Sequence, residues 1–293
     1  MTRNRVVVGI DGSTSSRSAL VWAAHEARLR GLGLLVVHSR FRPSYDVVFA
    51  GGFYLPPIAD EEDEMAEILR VAVELAREVD AQLEVEVSAR TGPPAASLLE
   101  AAGERAELVV VGSRGLGAFG SLFLGSVSIH LAARSPVPVV VVPAETPFST
   151  VGPVVVGVDG SPHSRTAVVE AAREAVRRQV PLDVVASYTV PADLLVTPLT
   201  TGREELREAF RAQAQENADE AARAASAEDD DLLVRTHVVE GPPAEEIARV
   251  ADPASLVVVG SRGHGELTGP MLGSVSQHLL RHARWPVLVT HEH

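Results

Sequence analysis

The amino-acid sequence predicts an α/β fold: two doubly wound units in tandem, each a five-stranded parallel sheet flanked by helices. Three observations lead there. The chain has 293 residues, about twice the usual domain length of roughly 100–150. It also repeats itself. VVVGIDGS at Val6–Ser13 returns as VVVGVDGS at Val154–Ser161, LVVVGSRG at Leu108–Gly115 returns at Leu256–Gly263, and LGSVSxHL at Leu124–Leu131 returns at Leu272–Leu279, all at one offset of 148. Within each repeat the apolar runs are short, β-branched and uninterrupted, as in strands covered on both faces, and helical segments fall between them.

In the first repeat strands are expected near 5–10, 33–38, 82–89, 107–111 and 137–142, and helices near 14–30, 60–79, 94–105 and 125–134. The helix near 60 opens on Asp60, Glu61, Glu62 and Asp63, acids placed where the positive end of the helix dipole favours them. The second repeat keeps the order, with strands near 153–158, 181–187, 232–239, 255–259 and 286–290. An offset of 149 relates Gly92–Ala95 to Gly241–Ala244, so one residue has been gained or lost between the matching blocks. The Pro, Ser and Thr stretch Ala144–Gly152 reads as a linker, which gives units of 1–146 and 151–293. Five strands alternating with four helices, twice, make two Rossmann-like units.

Composition excludes several function classes. With 46% hydrophobic and 22% charged residues the chain is an ordinary globular one. The absence of cysteine removes disulfides, thiolate nucleophiles and iron–sulfur clusters, and fits a reducing cytoplasm. All 26 basic residues are arginine, so there is neither a P-loop lysine nor a Schiff-base lysine. The net charge of −13 splits as 13 Arg against 18 acids in 1–148 and 13 against 21 in 149–293, and both halves would repel a phosphate backbone. The apolar run Val6–Ile10 is too short for a signal peptide, and Val137–Val142 is far below the roughly 20 residues of a membrane span. Of the ten histidines, His278 and His282 lie at i and i+4 on a helix, but His130 has Arg134 at the matching place, so a structural or surface role is expected and no metal site. Ser13, Ser161 and His163 lack a nucleophile elbow and an ordered partner acid.

Open parallel sheets put ligands at the carboxyl ends of strands where the strand order reverses. Two loops per unit lie at such ends. After the first strand come Gly9, Ile10, Asp11, Gly12 and Ser13; after the fourth come Gly112, Ser113, Arg114 and Gly115, then Gly117, Gly120 and Gly125. Glycine supplies positive-φ conformations and a bare backbone that lets amides crowd round phosphate oxygens. A helix opening at Gly125 and Ser126 adds its own amides and dipole. The spacing Gly112, Gly115, Gly125, Ser126 recurs without a length change as Gly260, Gly263, Gly273, Ser274, whereas the residues between diverge, LGAFGSLFL against HGELTGPML. A geometric constraint on the glycines explains that pattern, although turn formation or recent duplication are the plainer alternatives.

The motif GxxGx9G[ST], joined to the VxxGxDGS opening and the terminal PVxVV strand, resembles the ATP-binding branch of the universal stress protein family, and the resemblance covers essentially the whole chain. It implies that Gly112, Ser113, Arg114, Gly115, Gly125 and Ser126, and likewise Gly260, Ser261, Arg262, Gly263, Gly273 and Ser274, hold triphosphate and ribose. Val127 and Val275 are carried over as backbone contacts. Gly9 with Asp11, and Gly157 with Asp159, end the first strands, the acids meeting the nucleotide at its adenosine side. Ser39 and Ser187 mark the strand-two position that meets adenine through backbone. Asp11 can equally cap a helix or turn, and Arg114 and Arg262 can equally be solvated. Pro270 in one loop, and Phe119 with Leu122 in the other, imply different loop shapes. The resemblance further implies two ATP per chain with Mg²⁺, pairing of the fifth strands at the sheet edges into an intrachain pseudo-dimer, a homodimer, and a cytoplasmic regulator of stress response or growth acting through conformation or an unknown protein partner. No catalytic residue stands out. The rival expectation is a slow ATPase or autophosphorylating phosphotransferase.

Overall fold

The computed structural model describes residues 4–40, 61–115, 124–190, 202–252, 254–265 and 271–292. In the first half β1 (Arg5–Ile10), β2 (Gly33–Arg40), β3 (Val85–Thr91), β4 (Ala106–Gly112) and β5 (Val139–Val142) alternate with α1 (Thr14–Arg30), α2 (Glu61–Val79), α3 (Pro94–Arg105) and α4 (Ser126–Arg134). The second half gives β6 (Val154–Val158), α5 (Pro162–Arg178), β7 (Leu182–Tyr188), α6 (Arg203–Ser226), β8 (Val234–Glu240), α7 (Pro243–Val250), β9 (Leu256–Gly260), α8 (Ser274–His282) and β10 (Val287–Thr290). The expected elements are all present, with ends moved by up to three residues. Asp60 lies outside the described residues.

Local chemistry accounts for the helix ends. Ser13 and Ser161 cap α1 and α5, each accepting from the amide three residues on, at Ser16 and Ser164. Gly31, at φ 66°, closes α1 in the left-handed region that glycine enters without steric cost.

All strands belong to one sheet of order β3-β2-β1-β4-β5-β10-β9-β6-β7-β8. Pairing is parallel within each half and antiparallel at the single seam, where Val287, Leu288 and Val289 of β10 face Val141, Val140 and Val139 of β5. The fifth strands are therefore at the centre of the sheet, not at its edges. Each is the apolar edge of its own unit's sheet, and the pairing of the two edges expected from the resemblance is what removes both.

Alternation along the strands sends Val6 and Val8 to one face and Val7 to the other. On the first face they meet α1, α2, α5 and α6 through Leu20, Ala72, Val168 and Ala218; on the second they meet α3, α4, α7 and α8 through Leu98, Leu131, Ile247 and Leu279. Each core runs through both halves.

Across the seam α1 meets α5 in a buried quartet of charges. Arg30 Nε donates to Glu26 Oε1 at 2.7 Å and its Nη2 to Glu174 Oε1 at 2.5 Å; Arg178 Nη2 donates to Glu26 Oε2 at 2.6 Å and also pairs with Glu174. Both carboxylates are fully buried. Burial alone pushes the Glu26 carboxyl up, but the guanidinium groups of Arg178 and Arg30 more than offset this and hold it below its ordinary range. The linker is pinned in the same place, with Phe148 stacked on His25 at 4.5 Å and tilted against Trp22 at 6.1 Å.

Candidate functional site

In each half the strand order reverses between the first and fourth strands, and the crevice opens at their carboxyl ends. In the second half this crevice is a cavity of about 280 Å³ between the loops after β6 and β9. The loop after β6 is shaped by Gly160, at φ +83°, which lets Asp159 form an Asx turn: Ser161 N donates to Asp159 Oδ1 at 2.9 Å. The loop after β9 is closed from below. Gly273 N donates to Ser261 O at 2.8 Å and Ser276 Oγ to Gly260 O at 2.6 Å, so the start of α8 is brought back beside the end of β9. The N-cap, Gly273, has no side chain to offer the first turn. The amide end of α8 thus faces the cavity with no side-chain cap, and Arg262 lines the same cavity. Amides, a helix dipole and a cation together favour an anion.

Of the second-half residues singled out in the sequence, Gly157, Asp159, Ser187, Arg262, Gly260 and Gly263 line this cavity, as do Gly273, Ser274 and Val275 at the start of α8. Ser261 does not. It is buried, and its amide donates to Thr290 O at 2.8 Å, fixing the loop to β10.

The first half repeats the framework. Ser13 N donates to Asp11 Oδ1 at 3.0 Å beside Gly12 at φ +84°; Gly125 N donates to Ser113 O at 2.8 Å; Ser128 Oγ donates to Gly112 O at 2.7 Å. Ser113 N donates to Val142 O at 2.8 Å, and Arg114 N to Ser15 Oγ at 3.3 Å. Ser126 and Val127 open α4 as Ser274 and Val275 open α8. Ser39 Oγ is tied to Gly92 O at 2.9 Å and lies 3.0 Å from Ser97 Oγ, which leaves the backbone of β2 as the group the strand can present. Leu116, Gly117, Ala118, Phe119, Gly120, Leu122 and Pro270 lie outside the described residues.

The motif glycines owe their place to space, which corrects one of the two reasons expected of them. None of Gly112, Gly115, Gly125, Gly260, Gly263 and Gly273 has a positive φ; Gly12 and Gly160 do. A Cβ on Gly112 would lie 2.7 Å from the backbone carbon of Ser15, and one on Gly260 would lie 2.9 Å from that of His163, so these glycines let the first helix of each half approach the fourth strand. A Cβ on Gly115 would lie 2.5 Å from Asp11 Oδ2, and one on Gly263 would fall on Asp159 Oδ2. Gly9 and Gly157 make room for Leu98 and Ile247 instead. Asp11 likewise meets one of its open readings: it makes the turn, while Ser13 caps the helix.

Sequence reasoning missed two cavity-side residues. The carbonyl of Asp159 accepts from Asn217 Nδ2 on α6 at 3.0 Å and from His264 Nε2 at 2.8 Å. His264 was visible between two glycines of the loop; Asn217 carried no local signal, because only the packing of α6 brings it there. Among the described residues no group of three His, Asp or Glu is placed to hold a metal, and no helix is long and apolar enough to cross a membrane.

The universal stress protein family model matches residues 2–143 and again 150–291. The chain belongs to the universal stress protein family. A universal stress protein of Mycobacterium tuberculosis strain H37Rv is 37% identical over 300 residues, covering 98% of this chain and 97% of that relative. One from Mycolicibacterium smegmatis is 35% identical over 299 residues, with 98% and 97% covered. The crystal structure of a universal stress protein from Archaeoglobus fulgidus matches 99% of this chain and 98% of its own with a TM-score of 0.67 at 21% identity, a likeness of fold. The match to the two mycobacterial relatives thus runs over nearly the full length of both chains.

Proposed function

We propose that each half of this universal stress protein binds one ATP, with Mg²⁺ on the phosphates, and that the chain acts as a nucleotide-dependent regulator of stress response or growth through its conformation or a protein partner. The observation that carries this reading is the cavity after β6 and β9. It gathers the motif glycines, Arg262 and the uncapped amide end of α8 at the switch point of the sheet. The residues fit a polyphosphate: the glycines bring bare backbone to the cavity, and the lining includes the amide end of α8 and an arginine. Asp159 and Ser187 line the same cavity, and the family resemblance assigns them to the ribose and adenine end. The equivalent groups of the first half, from Asp11 and Ser39 to Gly112–Gly115 and Gly125–Val127, are assigned the second nucleotide. The units carrying the two sites are taken as 1–146 and 151–293, working in the cytoplasm, with two chains forming a homodimer.

The test is calorimetric titration with ATP and with GTP. Two ATP per chain and weaker GTP are expected. Saturation at one ATP would assign binding to one half only, and equal GTP binding would remove the backbone adenine contact. No binding of either would overturn the reading.

A further inference from the structure

We propose that His264 makes the second site proton-responsive, one imidazole nitrogen anchoring the ring and the other facing the phosphates of the bound nucleotide. The inference rests on the nucleotide reading above. His264 follows Gly263 in the loop after β9, is exposed, and lines the cavity. Its Nε2 lies 2.8 Å from Asp159 O. A carbonyl oxygen can only accept, so Nε2 carries a hydrogen and the neutral ring has a bare Nδ1. The same carbonyl accepts from Asn217, which is steadied in turn by Gln213 Nε2 on its Oδ1 at 3.3 Å.

Nδ1 makes no bond to a described residue. Neutral, it is an acceptor and opposes a phosphate oxygen. Protonated, it becomes a charged donor, while the Nε2 anchor is unchanged, so the change in sign needs no movement of the ring. Of the residues that line the cavity with His264, Asp159 and Arg262 are charged, with opposite signs. Asn217 on α6, Pro243 and Ile247 on α7, and Ser274 on α8 are uncharged. A bound polyphosphate would add negative charge beyond that of Asp159.

Among the described residues the first site shows no such device. By the repeat, Leu116 stands in place of His264. In place of Asn217 beside Gly160, it is Ile68 that lies beside Gly12, its Cδ1 3.5 Å from where a Cβ would stand.

The experiment is ATP calorimetry on the full chain, wild type, H264Q and H264L, at steps between about pH 8 and about pH 6. In the wild type one of the two ATP sites is expected to tighten more than the other as pH falls, by about 5-fold for an exposed ion pair. H264Q keeps a donor for Asp159 O but cannot be protonated. It is expected to bind two ATP and to lose the extra tightening, leaving only the nucleotide's own titration. A long-range ¹H–¹⁵N spectrum of the free protein, with His264 assigned by its loss in H264Q, is expected to show the hydrogen on Nε2. A Gln variant with the wild-type pH profile, an equal pH response at both sites, or a hydrogen on Nδ1 would each overturn the proposal. If H264L weakens binding while H264Q keeps the full pH response, the ring is an anchor only and the proton role falls. Two pH-indifferent ATP sites sink this inference alone, whereas a chain that binds no ATP sinks the nucleotide reading with it.

Discussion

Substituting Gly115 by alanine separates a binding role for the motif glycines from a purely structural one. The new Cβ would stand 2.5 Å from Asp11 Oδ2, and among the described residues the next nearest atom is the same carboxyl's carbon at 3.7 Å. Asp11 can swing away, but then it loses the hydrogen bond that its Oδ1 accepts from Ser13 N at 3.0 Å. A hydrogen bond to a charged group contributes roughly 1.5–3 kcal/mol, and the partial exposure of Asp11 brings the expected loss to about 1–2 kcal/mol. If that turn shapes the site, ATP affinity in the first half falls by about 5- to 30-fold at 1.4 kcal/mol per decade. Gly263→Ala is expected to do the same to Asp159 and the second half. Gly112→Ala serves as contrast: its Cβ meets the backbone of Ser15, which cannot rotate aside, so overpacking is expected to cost about 1–3 kcal/mol of stability. Thermal unfolding with and without ATP reads both effects. If the Gly115→Ala, Gly263→Ala double variant still binds two ATP with unchanged affinity, the glycine–aspartate contacts play no part in binding and the proposed site is misplaced.

The other predictions concern the seam and the rate. Glu26→Ala leaves the buried guanidinium of Arg178 short of a partner and is expected to lower stability by about 3–5 kcal/mol in denaturant titrations. A loss near zero would show that water reaches the quartet. In the wild type the folded Glu26 carboxyl titrates below its ordinary value of 4.5, so its stabilising contribution is complete above that pH. It is expected to fall away as acid takes the pH through the lower folded value, and an acid unfolding profile identical in Glu26→Gln would contradict this. Leu288→Asp puts a carboxylate opposite Val140 in the β5–β10 ladder, and solution scattering is expected to show the halves parting into two bodies. An unchanged scattering profile would mean that the quartet and linker suffice to hold them. ATP turnover is expected to lie far below the typical enzyme value of about 10 per second; several turnovers per second, abolished in Gly263→Ala, would replace the regulator by an ATPase.

Much of this was legible in the chain itself. The uninterrupted valine runs at Val6–Val8 and Val154–Val156 announce strands covered on both faces, because both strand faces must be apolar to be buried twice. The two glycine-spaced loops are equally local, whereas the cap weighed for Asp11 falls to Ser13, two residues on. What the tertiary structure decided involves partners far apart in sequence. Glu26 with Arg30, and Glu174 with Arg178, stand at i,i+4 in the sequence, which does not say whether they are exposed; only the crossing of α1 over α5 buries them and joins each carboxylate to the other half's guanidinium. The apolar run at Val139–Val142 states that β5 is buried but not against what, since a ladder of backbone hydrogen bonds carries no side-chain code for its partner. The spacing of Gly115 and Gly263 was plain, but its cause was not. The atoms that exclude a Cβ there belong to Asp11 and Asp159, over a hundred residues away along the chain and a few ångströms away in the fold.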